Sequence, residues 1–221
     1  MAQFDQVTTT RQESALATNK VLRNTYMLLS MTLVFSAITA MLSMALGLPQ
    51  GASLLMTLGA VVIVWFVLPR TYNKSSGIVW TFVFAGLMGA GLGPILAYYA
   101  AINPSIIVQA FAGTAIVTFG LSFYALTTRK DFSFLGGFLM VGLIVILMAS
   151  LANIFFAIPA LSIAISAGAV LVFSLLILFD TSRIINGGET NYIRATVSLY
   201  LDIYNLFVHL LHLVAVLTGD D

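Results

Sequence analysis

Long apolar runs, separated by short polar or proline- and glycine-containing breaks, dominate the chain. The runs do not alternate polar and apolar residues as the strands of a membrane barrel do, so each run predicts a helix. Each run is close to or above the roughly 20 residues that cross the hydrocarbon core of a bilayer. We therefore predict an all-α membrane protein with seven spans, at Leu22–Leu46, Ala52–Leu68, Ile78–Tyr99, Ser105–Leu126, Phe134–Ile158, Ala160–Ile185 and Tyr192–Leu217.

Composition supports a membrane protein with one domain. Hydrophobic residues make up 60% of the chain and charged residues only 8%, whereas soluble domains carry about 25% charged residues. Nine Lys and Arg residues, mostly in the connections, make no groove for nucleic acid. The absence of cysteine excludes disulfides, thiolate metal sites and cysteine nucleophiles. We expect a polar cytoplasmic tail at residues 1–21, one seven-helix domain at 22–217 and a short tail at 218–221.

Positive charge falls on every second connection and so marks one side of the bilayer. The N-terminal tail shares this basic side, and the uncharged connections opposite are short turns punctuated by Pro49, Pro104 and Pro159. By the positive-inside rule the basic side is cytoplasmic. The N-terminus is then expected in the cytoplasm and the C-terminus, after seven spans, in the periplasm. The basic connections carry Arg70 and Lys74, then Arg129 and Lys130, then Arg183 and Arg194.

The third predicted span contains four closely spaced glycines just before Pro94. Gly89 and Gly93 have the spacing at which small residues allow two membrane helices to approach closely. Pro94 lacks a backbone donor and is expected to kink or loosen its helix. The pattern indicates either close helix packing or a hinge beside a conduit.

Asp180 and Asp202 each lie inside an apolar run, where insertion scales put the cost of a carboxylate at roughly 2.5–3.5 kcal/mol. Their spans are joined by a short connection, so both residues lie within about 10–20 Å of the same membrane face at 1.5 Å per residue. If they meet, one proton shared by the pair would make a pH-responsive latch, and an ionised pair would attract Ca²⁺. The structural alternative pairs Asp180 with Arg183 or Arg70, and Asp202 with Asn205 or a neighbouring helix.

A polar stripe follows one face of the last predicted helix, with residues 3 or 4 positions apart. A helix this apolar should turn its polar face away from lipid, so we expect the last helix to face protein or water along the stripe. His209 and His212 are then either hydrogen-bonded interior histidines or metal ligands, although no second cluster supports a metal site. The stripe comprises Ser198, Asp202, Asn205, His209 and His212.

The C-terminal hairpin resembles a known family signature. The segments at 178–185 and 198–207 resemble the signature of the Bax inhibitor-1 family, also called the transmembrane BAX-inhibitor-motif proteins. The segments at 22–26, 127–137 and 187–196 are similar to its YccA-like bacterial branch. That branch comprises inner-membrane proteins associated with the membrane-anchored AAA protease FtsH and its HflK–HflC partners.

The resemblance implies six helices around a central last helix. It also implies, for some bacterial members, a pH-sensitive Ca²⁺ leak controlled by two aspartates, whose positions Asp180 and Asp202 match. Arg70 is the nearest match to a basic residue that contacts the pair in such members. This chain departs from the leak pattern because its second span, Ala52–Leu68, contains no acidic residue.

Two functions follow as expectations. The first is a non-enzymatic regulator, without a cofactor, that restrains proteolysis of membrane proteins by FtsH with HflK–HflC in the bacterial inner membrane. The alternative is a pH-sensitive leak for Ca²⁺ or another cation, gated by the pair of Asp180 and Asp202. An intramembrane aspartyl protease is disfavoured because such enzymes carry a Gly-x-Gly-Asp run, whereas Leu199, Tyr200 and Leu201 precede Asp202.

Overall fold

The computed structural model describes residues 2–219, with side chains described from residue 16 onward. All regular elements in these residues are helical, and seven segments are long and apolar enough to cross a membrane, which confirms the predicted fold class. The side chains before residue 16 and the tail residues 220–221 lie outside the described part. The helices are α1 (Ala2–Ala45), α2 (Gln50–Val62), α3 (Leu68–Thr71), α4 (Ser76–Ile102), α5 (Pro104–Thr128), α6 (Gly136–Phe156), α7 (Pro159–Ile185) and α8 (Tyr192–Thr218).

The first two spans show the differences from their predicted bounds that have a clear physical reason. Helix α1 begins at Ala2, far ahead of the predicted Leu22, because Gly47 is the first glycine or proline of the chain and nothing earlier interrupts a helix. The second span continues to Thr71 instead of ending at Leu68. A π-helical turn, Ile63–Val67, joins α2 to α3 within this span. Pro69 lies in the first turn of α3, where a proline is tolerated.

The connections lie at two ends of the bundle because successive spans run in opposite directions. One end, here called the basic end, holds the connections at 72–75, 129–135 and 186–191. The other, here called the neutral end, holds the connections at 46–49, 103 and 157–158. At the neutral end Asn103 accepts a hydrogen bond from the Ser105 amide at 3.0 Å, and Pro104 starts α5. The turn predicted at Asn103 and Pro104 is therefore confirmed.

Helix α4 packs closely against α1 through its glycines. A Cβ at Gly89 would overlap the Ser36 carbonyl oxygen and the Thr39 hydroxyl, and a Cβ at Gly93 would overlap the Ser43 side chain. The Ser43 hydroxyl donates to the Ala90 carbonyl at 2.7 Å across the same contact. Close packing, one of the two predicted roles of these glycines, is confirmed. Helix α4 runs unbroken through the neighbouring Pro94.

Helix α8 lies at the centre of the bundle. It packs against α1, α4, α5 and α7, while α2 packs on α4 and α6 packs on α7. Its side chains include some of the most deeply buried of the described residues, among them Tyr200, Leu206 and Leu211. Tyr200 contacts the Phe84 ring edge-on, with the ring centroids 5.1 Å apart. The last helix therefore forms the core around which the other helices assemble.

The connection between α7 and α8 is held by Glu189 and Asn191. Glu189 Oε1 accepts hydrogen bonds from the Asn191 amide at 2.8 Å and Arg194 Nη2 at 2.9 Å, and Oε2 accepts from Arg194 Nε at 2.5 Å. Asn191 caps α8 by accepting from the amides of Ile193 and Arg194, and it donates to the Tyr72 carbonyl at 3.0 Å. The start of α8 is thus fixed to the end of the second span.

The glycine contact between α1 and α4 predicts a stability effect that depends on position. We expect Gly89→Ala to destabilise the bundle by about 1–3 kcal/mol, because the added methyl group meets backbone that cannot move aside without opening the contact. Gly120→Ala is the matched control, since a Cβ at this helical glycine meets nothing within 4 Å. Thermal unfolding of both variants in the same detergent measures the difference, and equal unfolding temperatures would contradict the close contact.

Glu189 predicts a pH-dependent contribution to stability. Burial opposes its ionisation, but the hydrogen bonds from Arg194 and the Asn191 amide outweigh burial and hold the pKa of Glu189 below its usual value. Its stabilising effect is therefore complete above the unfolded-state pKa of about 4.3 and is lost as pH falls through the lower folded-state pKa. We expect Glu189→Gln to cost about 1 kcal/mol at pH 7, since Arg194 is half exposed.

The measurement is thermal unfolding of wild type and Glu189→Gln between pH 3 and pH 7. The gap between them should shrink towards the acid end, where wild-type Glu189 is itself protonated. Asp131→Asn is the comparison for loss of a carboxylate that has no ion pair in the described residues, since exposed Asp131 accepts hydrogen bonds from Ser133 of its own connection, and an effect larger than that of this variant is assigned to the pairing with Arg194. A gap that stays constant over this pH range would mean that the charge of Glu189 does not stabilise the connection.

Candidate functional site

The structure brings Asp180 of α7 and Asp202 of α8 close together and also pairs Asp180 with Arg183, so it contains a feature of each of the two predicted alternatives. The two carboxyl groups interact directly with each other, and the Ser198 hydroxyl lies beside the Asp180 carboxyl. Asp202 is 6% exposed, and its Oδ2 has no hydrogen-bond partner among the described residues. The pair therefore presents carboxyl oxygens in a buried place, where they can hold a proton between them or offer ligands to a cation.

The basic partner of the pair is Arg183 and not Arg70. Arg183 Nη1 lies 3.7 Å from Asp180 Oδ1, one turn along α7, and its guanidinium lies over the Phe179 ring at 5.5 Å from the centroid. Arg70 instead donates a hydrogen bond to the Phe66 carbonyl of its own span. The expectation that Arg70 contacts the pair is therefore wrong, because its side chain is used locally beside the π-helical turn. Arg183 was the other cation that the sequence offered for Asp180.

Glu189 is a third carboxylate next to the pair, and sequence reasoning did not select it. Asp180, Arg183, Glu189 and Ser198 are among the residues that line a small cavity of about 10 Å³ between α7, α8 and their connection. That volume is about the smallest that holds one water molecule. Glu189 is 6% exposed although it lies in a connection. Its place after two glycines gave no sign of burial, since charged residues in connections are usually solvated.

The rest of the polar stripe of α8 also faces protein. His209 Nδ1 and His212 Nδ1 both lie within hydrogen-bond distance of the Ser166 hydroxyl on α7, at 3.2 and 2.9 Å. The His209 ring also stacks on Phe173, with centroids 6.2 Å apart. Asn205 Nδ2 donates to the Leu201 carbonyl of its own helix at 2.8 Å. These contacts support hydrogen-bonded interior histidines, which was one of the two predicted roles.

Ser166 was missed because a lone serine in an apolar run carries little information. The only sequence signal is its spacing from Ser162, four residues earlier on α7, which puts both hydroxyls on one helix face. Ser162 Oγ accepts a hydrogen bond from Asn153 Nδ2 of α6 at 2.6 Å. Small polar side chains thus connect α6, α7 and α8 near the neutral end. No group of three His, Asp or Glu that could hold a metal occurs in the described part of the chain.

Comparison with known proteins places the chain in a family. Residues 18–219 match the family model described as "Inhibitor of apoptosis-promoting Bax1". This match covers all seven spans apart from the first residues of α1. The resemblance seen in the C-terminal hairpin therefore extends over the whole bundle.

The relatives are bacterial proteins, and two of them are named as membrane proteins. The chain is 53% identical over 208 residues, 94% of both chains, to the Escherichia coli protein named "Modulator of FtsH protease YccA" and, in another strain, "Inner membrane protein YccA". It is 53% identical over 215 residues, 96% of both chains, to an uncharacterized membrane protein of Vibrio cholerae. An uncharacterized Pseudomonas aeruginosa protein is 49% identical over 91% of both chains. With its seven spans, the chain is a multi-pass inner-membrane protein that belongs to the Bax inhibitor-1 family.

Proposed function

We propose that this protein is a non-enzymatic modulator of the membrane-anchored protease FtsH, acting within the inner membrane. One observation carries the proposal: the chain is 53% identical over 94% of both chains to the protein named a modulator of that protease. The matched 208 residues make up most of both chains, so the likeness is not confined to one segment. In the proposed assembly, FtsH is accompanied by HflK–HflC, and the protein restrains degradation of membrane proteins.

The proposed orientation puts the basic end of the bundle in the cytoplasm. Arg129 and Lys130 at one connection and Arg183 and Arg194 around another would then face the side that retains positive charge. The N-terminal end of α1 would lie in the cytoplasm, and α8 would end in the periplasm. A cytoplasmic helical extension at the N-terminus would give a cytoplasmic partner a segment to contact.

The lateral surface of α6 is the contact surface that we propose for a partner inside the bilayer. Among the spanning helices of the described structure, α6 packs only on α7, and side chains such as Phe138, Ile144, Leu147 and Phe155 are exposed along it. In a bilayer such a surface meets either lipid or the membrane helix of another protein. Association through this surface needs no rearrangement of the α8 core.

The modulator proposal predicts physical association and a change in proteolysis. We expect the C-terminally tagged chain, extracted in mild detergent, to co-purify with FtsH and HflK–HflC. Raised expression should lengthen the half-life of a membrane-embedded FtsH substrate, because the proposed contact lies within the membrane. A soluble FtsH substrate, followed in the same cells, is the control and should decay at its usual rate. Absence of co-purification together with unchanged half-lives would contradict the proposal.

A second candidate function is a proton-sensitive cation leak, and the contact between Asp180 and Asp202 favours it. Two carboxyl groups in contact share a proton readily, whereas two carboxylates at the same place repel each other. Loss of the proton would therefore push α7 and α8 apart at the basic end. The carboxylate oxygens would then offer passing Ca²⁺ the hard ligands it prefers. Because Gln50–Thr71 carries no acidic residue, the cation path would depend on this pair.

The leak proposal predicts that the pair sets the pH dependence of flux. In proteoliposomes assayed between pH 6 and pH 8, Asp180→Asn and Asp202→Asn should each remove the response of Ca²⁺ flux to pH, because an amide cannot share or release the proton. Asp131→Asn is the control, since it makes the same change at an exposed aspartate of the basic end. Flux that keeps its pH dependence in both pair variants, or no flux at any pH, would rule out gating by the pair.

A further inference from the structure

A cavity of about 290 Å³ lies between α1, α4, α5 and α8, away from the aspartate pair. Among the described residues α1 and α5 do not contact each other, so the space between them leads sideways out of the bundle. Ala37 of α1 and Phe111 of α5 are exposed at this gap, while Ile203 of α8 is buried deeper. The cavity is therefore a recess with its mouth on the lateral surface and its floor on the central helix.

The recess opens at the depth of lipid acyl chains. Ala37 is eight residues before the end of α1, and Phe111 is seven residues after the start of α5, which places both about 10–12 Å from the neutral end at 1.5 Å per residue. The hydrocarbon core of a bilayer is about 30 Å thick, so the mouth lies within one leaflet. The medium in front of it consists of hydrocarbon chains and not of water or headgroups.

The walls of the recess suit an apolar occupant. No charged residue lines it, and three of its four hydroxyl groups are already used inside the protein. Ser36 Oγ and Tyr200 OH are hydrogen-bonded to each other at 2.6 Å, and the Thr114 hydroxyl donates to the Ala110 carbonyl at 2.7 Å. An apolar cavity of about 150 Å³ can stay dry and bind a hydrocarbon, and this one is larger. Its volume is close to the roughly 300 Å³ at which ligand pockets begin.

We propose that this recess is a binding site for one acyl chain of a membrane phospholipid, which enters between α1 and α5 and ends against α8. The occupant contacts Ile203 and Tyr200 of the central helix, so it joins the packing of the core and is distinct from the lipids around the bundle. The remaining lining hydroxyl, on Tyr204, belongs to a ring that stacks on Tyr200 with centroids 6.2 Å apart. An acyl chain needs no hydrogen bond from it.

The test uses the full-length protein in nanodiscs that contain phosphatidylethanolamine with a photoreactive diazirine near the middle of one acyl chain. After irradiation, mass spectrometry of the digested protein locates the adducts. We expect adducts on Ile203 or Tyr200 of α8, whose buried side chains are out of reach of lipids on the outer surface. Adducts confined to the lipid-facing surface, for example on α6, would overturn the proposal.

Substitutions at the mouth of the recess, outside it and at Tyr204 separate the alternatives. Ala37→Phe places a large side chain at the mouth and should abolish the α8 adducts, whereas Ala112→Phe makes the same change at an exposed alanine of α5 outside the recess and should keep them. If Ala37→Phe does not purify, Ala37→Leu supplies a smaller plug. Tyr204→Phe should also keep the adducts, and their loss in that variant would mean that the site binds a polar group instead. Adducts that persist in the plugged variant would show that the lipid arrives by another route.

Discussion

The polar face of α8 constrains the whole bundle, because a bilayer offers no partner to a carboxyl, amide or imidazole group. Ser198, Asp202, His209 and His212 all point to partners on α7. The other sides of the same helix, which contact α1, α4 and α5, are mainly apolar, with hydroxyl groups at Thr196 and Tyr200 bonded to α1. A helix whose polar face and apolar faces both need protein contacts fits only at the centre of the bundle, with its polar face against one preferred neighbour. The order of packing around α8 follows from this one stripe.

The preferred neighbour of α8 is α7, and the two helices are consecutive along the chain. The connection of residues 186–191 is short, and Glu189 and Asn191 fix its shape by hydrogen bonds to Arg194 and to the start of α8. Because the hairpin sets the register of the two helices, Asp180, about one and a half turns before the end of α7, meets Asp202, nearly three turns after the start of α8. On the opposite side of α8, the glycines of α4 let α1 approach closely enough for Ser36 to bond to Tyr200. Polar side chains therefore join α8 to α7 on one side, and on the other side small residues bring α1 and α4 close enough for a hydroxyl contact with α8.

The sequence predicted some parts of this arrangement and missed others, because the parts differ in the signal that they leave in the sequence. The seven spans, the close packing at Gly89 and Gly93 and the contact of Asp180 with Asp202 rest on apolar length and helical spacing, which the folded chain preserves. The proposed contact of Arg70 failed because one nearby backbone carbonyl was enough to hold a flexible side chain. The sequence did not indicate Ser166 or Glu189 as site residues. The role of Ser166 depends on the histidines of α8 beside it, and that of Glu189 depends on Arg194. The π-helical turn at Ile63–Val67 likewise has no periodicity that distinguishes it from α-helix.

The two candidate functions use different parts of the molecule, and one helix connects them. A partner inside the bilayer would meet the outer surface, where α6 is the least enclosed of the described spans, whereas proton exchange would concern carboxyls buried at the centre. Helix α6 rests on α7, with Gly142 against Val172 and Gly136 against Phe179, and α7 carries Asp180. Force applied to α6 by a partner would reach the pair through that single helix, since closely packed helices transmit displacement. Modulation of a protease and protonation of the pair are thus compatible in one bundle, and a change in either is expected to act on the other through α7.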